Sequence, residues 1–255
     1  MPMLSLRLAK PTVFVDIKRI PGLDGITTRD GLLSIGALTR HADGAVSPLV
    51  RDHAPLLRAA YRHLAHAAVR NRGTFGGSLA LADPAAELPA CCVCLDAEII
   101  VNAVSGSRVV AAPEFFRGIY ETALGKAELI SRIDIPVLTN GWRWAFDEAS
   151  RRRGDFAIAG VAVGVRSSGG IIAECRVAFC GLEAAPRRMS VVEEALRGVC
   201  LEDEAGIGAA VGRLDGHVEP LESEEYPGWY RIAVARALLT RGLARLGDCG
   251  AADEA

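Results

Sequence analysis

The chain has 255 residues, half of them hydrophobic, with 29 Lys and Arg against 31 Asp and Glu, a formal charge of −2 and a pI near 6.2. That length suits one large core or two modest domains, and the near-neutral charge lacks the footprint of a nucleic-acid binder. With no apolar run long enough to span a bilayer and no charged-then-apolar leader at Met1–Arg7, the expectation is a soluble, cytoplasmic chain without a transmembrane segment.

In chain order, Thr12–Ile17 and Leu32–Ala37 are β-branched or aliphatic runs that predict strands, with Pro21-Gly22 and Asp30-Gly31 as turn signals. Residues 48–69 predict a helix with Leu56, Leu57, Ala60, Leu64 and Ala67 on one face. His63 and His66 lie three apart on it, but no acidic or cysteine partner follows, so an exposed surface is preferred to a metal site.

Residues 70–89 are the most informative stretch. Arg70 and Arg72 lead into Gly73, Thr74, Phe75, the pair Gly76-Gly77, and Ser78. Adjacent glycines admit positive φ and leave consecutive N–H groups uncovered, the makings of an anion nest flanked by two hydroxyls. No Gly-Lys-Ser/Thr follows, which removes a Walker loop, and Gly-x-Ser-x-Gly is lacking, which removes a nucleophile elbow. Asp83-Pro84 and Glu87-Leu88-Pro89 each offer a helix start.

Seven cysteines are spread thinly. Cys91-Cys92-Val93-Cys94 has a C-x-x-C spacing with Cys175 and Cys180 as the only rough second pair, and reads as core packing rather than metal binding. Glu98–Asn102 and Arg108–Val110 flank Ser105-Gly106-Ser107 as a hairpin, and a strand over Leu129–Ile135 stops at Pro136. Pro136–Gly141 is the expected domain boundary. Beyond it, Asp155–Val163 and Ile171–Phe179 predict a hairpin about Gly169-Gly170. Arg151-Arg152-Arg153 reads as a solvated charge run balanced by Asp147, Glu148 and Asp155. Ser190 and Glu193 form a capping-box pattern, and Ile232, Ala235, Leu239, Leu243 and Leu246 mark a last helix. Residues 247–255 are expected to be a flexible tail.

Arg70–Ser78 followed by Ala82–Pro89, together with Gly154-Asp155-Phe156-Ala157 and Pro186-Arg187-Arg188, closely resembles the FAD-binding medium subunit of molybdenum hydroxylases. This family includes the medium chain of aerobic carbon monoxide dehydrogenase and the flavin domain of xanthine dehydrogenase. The resemblance implies an α+β fold: a PCMH-type FAD-binding domain over 1–137, then a domain over 141–246 with a C-terminal antiparallel sheet and helical bundle. It implies FAD at Thr74, Phe75, Gly76, Gly77 and Ser78, with Glu87 at the flavin site and apolar contacts from Leu64 and Ile130. The family's first FAD loop, an Ala-Gly-Gly stretch, would lie just before Pro2, so the first domain is expected to be truncated at its N-terminus. Some members place a flavin-contacting lysine where Asp147 stands.

By the same resemblance, the chain passes electrons from iron–sulfur clusters through FAD to NAD or another acceptor. It does so beside a molybdenum-cofactor large subunit and a 2Fe-2S small subunit, in a heterohexamer built as a dimer of heterotrimers, and is inactive without them. No catalytic acid or base and no metal ligand is expected in the chain itself. The alternative is a flavin-free structural or assembly subunit of such a complex.

Overall fold

In a computed structural model the protein is described over residues 11–138 and 141–247, so the start of the expected first domain, part of the expected boundary and the expected tail beyond 247 fall outside the described residues. The first half runs β1 (Ile26–Arg29), β2 (Leu32–Gly36), α1 (His41–Val46), α2 (Pro48–His53), α3 (Pro55–Tyr61), α4 (Ala67–Arg70), α5 (Phe75–Leu81) and α6 (Glu87–Cys94). It continues with β3 (Glu98–Ala103), β4 (Gly106–Ala111), α7 (Ala112–Phe115), β5 (Phe116–Gly118), β6 (Glu121–Thr122) and β7 (Leu129–Pro136). The second half holds β8 (Trp142–Ser150), β9 (Ala157–Ser168), β10 (Ile171–Cys180), α8 (Ser190–Leu196), α9 (Glu204–Val211), a 3-10 turn at Gly212–Leu214, and α10 (Gly228–Gly247).

Five strands form an antiparallel sheet in the order β1-β2-β7-β3-β4. The β1–β2 turn is Asp30-Gly31, both at positive φ, which suits the twist of a two-residue hairpin. Ile133 and Ile135 of central β7 are fully buried under the helices. On its other face Asp134 accepts from the Ser34 hydroxyl at 2.6 Å and pairs with Arg132. The second sheet, β10-β9-β8, is covered on both sides. β9 shows why: Val161, Val163 and Val165 face the C-terminal helices, while Gly160 and Ala162 face α3 and α6 of the first half. Small residues on that face let the helices approach.

The fold is the expected α+β arrangement, with several local corrections. Thr12–Ile17 is not a strand: Val13, Phe14 and Val15 are 72, 68 and 78% exposed, and no described strand pairs with them. β-propensity without a partner or a face to bury yields no sheet. The single helix over 48–69 is three. It breaks at Ala54, which the following Pro55 keeps out of helical space, and again at Ala65, which takes φ +41. Leu56, Leu57, Ala60 and Leu64 are buried as expected, whereas Ala67 is exposed.

Asp83 starts no helix; its carboxylate accepts from the Ala85 N–H in a tight turn, and α6 begins at Glu87. The capping box does not form. Ser190 is the first helical residue, Met189 precedes it with no side-chain cap, and Glu193 reaches across to the Val177 N–H and Arg188 instead. Finally, β8 extends the expected β9–β10 hairpin to a third strand, and Arg151 pairs with Glu225 rather than with its acidic neighbours.

Candidate functional site

The glycine-rich stretch forms the start of a helix. Thr74 is the N-cap of α5, and its hydroxyl accepts from the Gly77 N–H at 3.2 Å. Neither Gly76 nor Gly77 has positive φ, so the expected nest is corrected to a helix N-terminus. The N–H groups are already engaged: Phe75 donates to Thr39 O, Gly76 to Ala37 O, and Ser78 to Thr74 O. Helical φ is what glycine adopts here because each has a separate steric duty. A Cβ on Gly76 would fall 2.5 Å from Ala37 Cβ, so the helix end could not seat on the loop after β2. A Cβ on Gly77, which is exposed, would meet only the Thr74 side chain, at 2.8 Å from Oγ1. Gly77 therefore leaves an open backbone face at a helix end whose partial positive charge favours an anion.

The other expected residues arrive by separate routes. Phe75 is fully buried, backbone included, and its N–H is taken by Thr39 O, so it fixes the turn from inside. Ser78 is half-buried one residue beyond Gly77. α5 packs on α6, which carries Glu87 in its first turn, and on β7, which carries buried Ile130. Leu64 is buried after α3, and its carbonyl, with that of Ala65, accepts from Arg70 Nη1, which ties it to the loop entering α5. His41 supports this loop from behind: its N–H donates to Gly73 O, and burial holds its ring down at about 4, neutral.

Glu87 is 9% exposed, and burial raises its carboxyl to about 7. The second half brings Glu148 to this side, a residue that the linear reading took, with Asp147, only as a counter-charge to the arginine run. Asp147 points to α10, where Arg241 (2.6 Å) and Arg245 (3.1 Å) hold it. Its neighbour Glu148 points the other way, toward the first half, with its side chain only 3% exposed. His63 is not a free surface group: its Nδ1 stands 3.9 Å from Glu148 Oε1 and its ring packs on Phe146. A strand over 142–150 would have separated Asp147 from Glu148 by the period of two, and that strand was the missing signal.

Cys91, Cys92, Cys94, Cys175 and Cys180 are buried free thiols pushed up by burial, and no metal-holding cluster exists among the described residues. No helix of the described residues is long and apolar enough to cross a membrane.

Residues 1–138 match the family model of the FAD binding domain in molybdopterin dehydrogenase, and 144–246 match the CO dehydrogenase flavoprotein C-terminal domain. The chain is 35% identical over 237 residues to the glyceraldehyde dehydrogenase medium chain of Sulfolobus acidocaldarius, covering 93% of this chain and 84% of that one. It is 36% identical over 245 residues to the 6-hydroxypseudooxynicotine dehydrogenase complex subunit alpha of Paenarthrobacter nicotinovorans, covering 96% and 82%. Among solved structures, carbon monoxide dehydrogenase from Hydrogenophaga pseudoflava, lacking the Mo-pyranopterin moiety of its molybdenum cofactor, superposes with a TM-score of 0.91 at 35% identity over 96% of this chain and 86% of that one.

Matches over both halves make the protein an FAD-binding flavoprotein and an oxidoreductase subunit. It belongs to the family of FAD-binding medium subunits of the molybdenum hydroxylases.

Proposed function

We propose that the chain holds FAD noncovalently at the start of α5 and carries electrons from iron–sulfur clusters on a partner to NAD or another acceptor. The observation that carries this placement is the exposed backbone of Gly77, capped by Thr74, on a helix that packs against α6, the helix bearing buried Glu87. Thr74, Gly77 and Ser78 would face the diphosphate, Gly76 and Phe75 would fix the turn from inside, and Leu64, Ile130 and Glu87 would line the flavin end. FAD, once bound, supplies the redox chemistry, accepting and releasing electrons one or two at a time. The chain's own residues bind, orient and exclude water, and none of them is assigned as an acid or base toward an organic substrate.

On this reading residues 1–137 form the cofactor-binding unit and 141–246 its cover. The partners are a molybdenum-cofactor large subunit and a 2Fe-2S small subunit, joined as a dimer of heterotrimers in the cytoplasm. Relatives named for glyceraldehyde and for 6-hydroxypseudooxynicotine share the same chain type, which supports substrate choice residing on another subunit. Co-expression with the neighbouring large and small subunits, followed by mass measurement and flavin absorbance, tests the assembly. Recovery of the three chains with FAD supports it; an isolated monomer that oxidises an organic substrate unaided would refute it.

A further inference from the structure

Across the second sheet, Glu148 on β8 lies opposite Gly160 on β9, which lies opposite Cys180 on β10. A Cβ at position 160 would fall 2.7 Å from Cys180 Sγ and 3.1 Å from Glu148 Cβ, so the two side chains converge over a gap that only glycine leaves. Glu148 Oε2 is buried there without a hydrogen-bond partner. α6, which carries buried Glu87 in its first turn, packs on β9 and β10 on this face, and the charge of Glu87 acts on both Glu148 and Cys180.

We infer that Glu87 and Glu148 form a proton-holding carboxyl pair in the buried junction between the two halves, connected to solvent through His63, and that it serves the flavin site as a local source and sink of protons. The flavin role rests on the placement proposed above for FAD; the pair itself does not.

Glu148 faces Glu87 from α6, Cys180 from β10 and His63 from the loop after α3, while adjacent Asp147 is turned to Arg241 and Arg245. Glu87 faces Asp83, Cys91 and Cys180. The charges around His63 are Asp147, Arg245, Arg153 and Arg62. No cation bonds either carboxyl among the described residues. Two buried carboxylates without a counter-ion cannot both stay ionised, and retaining a proton is the low-energy outcome. Burial, then the charge of Glu87, raises Glu148 to about 8, above Glu87 at about 7. Burial also lowers His63, so its contact with Glu148 joins two neutral groups rather than an ion pair. Its ring is 30% exposed, which gives the pair an outlet to water.

Two-electron reduction of a flavin consumes at least one proton. The electrons come from a one-electron donor of the iron–sulfur class, the proton from the O–H bond of the pair, and the pair regains a proton from water by way of His63. With an acceptor that takes electrons alone, the proton would return to the pair; hydride transfer to NAD would carry it off on the nicotinamide, and water would refill the pair by way of His63.

The test uses the full chain. Without FAD, infrared spectra taken against pH should contain a protonated-carboxyl band that fades between about 7 and 8. Glu148→Gln should remove the upper part of this transition and leave the Glu87 component near 7, and Glu87→Gln should move the Glu148 midpoint downward, because the like charge is gone. With FAD bound, the midpoint potential plotted against pH should bend in the same window, and the bend should vanish in Glu148→Gln. Absence of the band, or a transition left unchanged in Glu148→Gln, overturns the pair. A band with an unbent potential plot overturns the flavin role. A band in a chain that binds no FAD refutes the proposed placement of FAD and with it the flavin role, while leaving the pair established.

Discussion

A methyl group at position 76 would press on Ala37 Cβ, Cα and O at 2.5–2.9 Å, whereas one at 77 would touch Thr74 alone. The two glycines therefore separate structure from binding. Gly76→Ala should destabilise the chain by about 1–3 kcal/mol through overpacking, read as a lowered urea midpoint. Gly77→Ala should leave that midpoint nearly unchanged, because the cap lost when Thr74 rotates is offset by about 1 kcal/mol of helix propensity gained over glycine. Thr74→Ala, which removes the cap, should cost roughly 1 kcal/mol. A Gly76→Ala chain as stable as the parent would show that the loop after β2 gives way more readily than its backbone contacts suggest.

At the scale of elements, the role of Glu193 separates the two accounts of α8. As the N3 member of a capping box it would be worth little more than Ser190. As observed, it accepts from the Val177 N–H at 2.8 Å and holds Arg188, which also reaches Asp96 of the first half. Ser190→Ala should therefore be near neutral. Glu193→Ala, which strands a half-buried arginine and a strand N–H, should cost about 3 kcal/mol by urea unfolding. Local signals gave the β1–β2 turn at Asp30-Gly31, the hairpin about Gly106, β7 up to Pro136 and the face of α10. They failed where tertiary partners decide: Val13–Val15 has β-branched residues but no neighbouring strand, and β8 was masked by its charged end. The glycine-rich run stood out in the sequence, but its conformation did not: the expected nest is a helix start. Glu148 was not, because its inward direction depends on a strand register that charge alone does not reveal.

For the molecule as a whole, the junction between the halves is pH-sensitive. Glu87 and Glu148 have folded values raised above those of the unfolded chain, to about 7 and about 8. Their contribution to stability is complete in mild acid, below the unfolded values, and is lost as pH rises through the folded ones. Raising the pH from about 6 to about 9 should lower unfolding free energy by an amount on the order of 3 kcal/mol, and Glu148→Gln should flatten that profile. A stability that climbs over this range would contradict the burial of the pair.

The central claim, that FAD is gripped at the exposed backbone of Gly77, is tested most directly by titrating the parent chain and Gly77→Val with FAD at fixed salt, following flavin fluorescence. A branched side chain at 77 would screen the Thr74 and Ser78 hydroxyls, and losing one to two such donors to a charged group corresponds to roughly a 10- to 100-fold rise in Kd or more. The account predicts a loss of that size in Gly77→Val with the urea midpoint held. Equal affinity in the two chains would contradict it and move the cofactor away from α5.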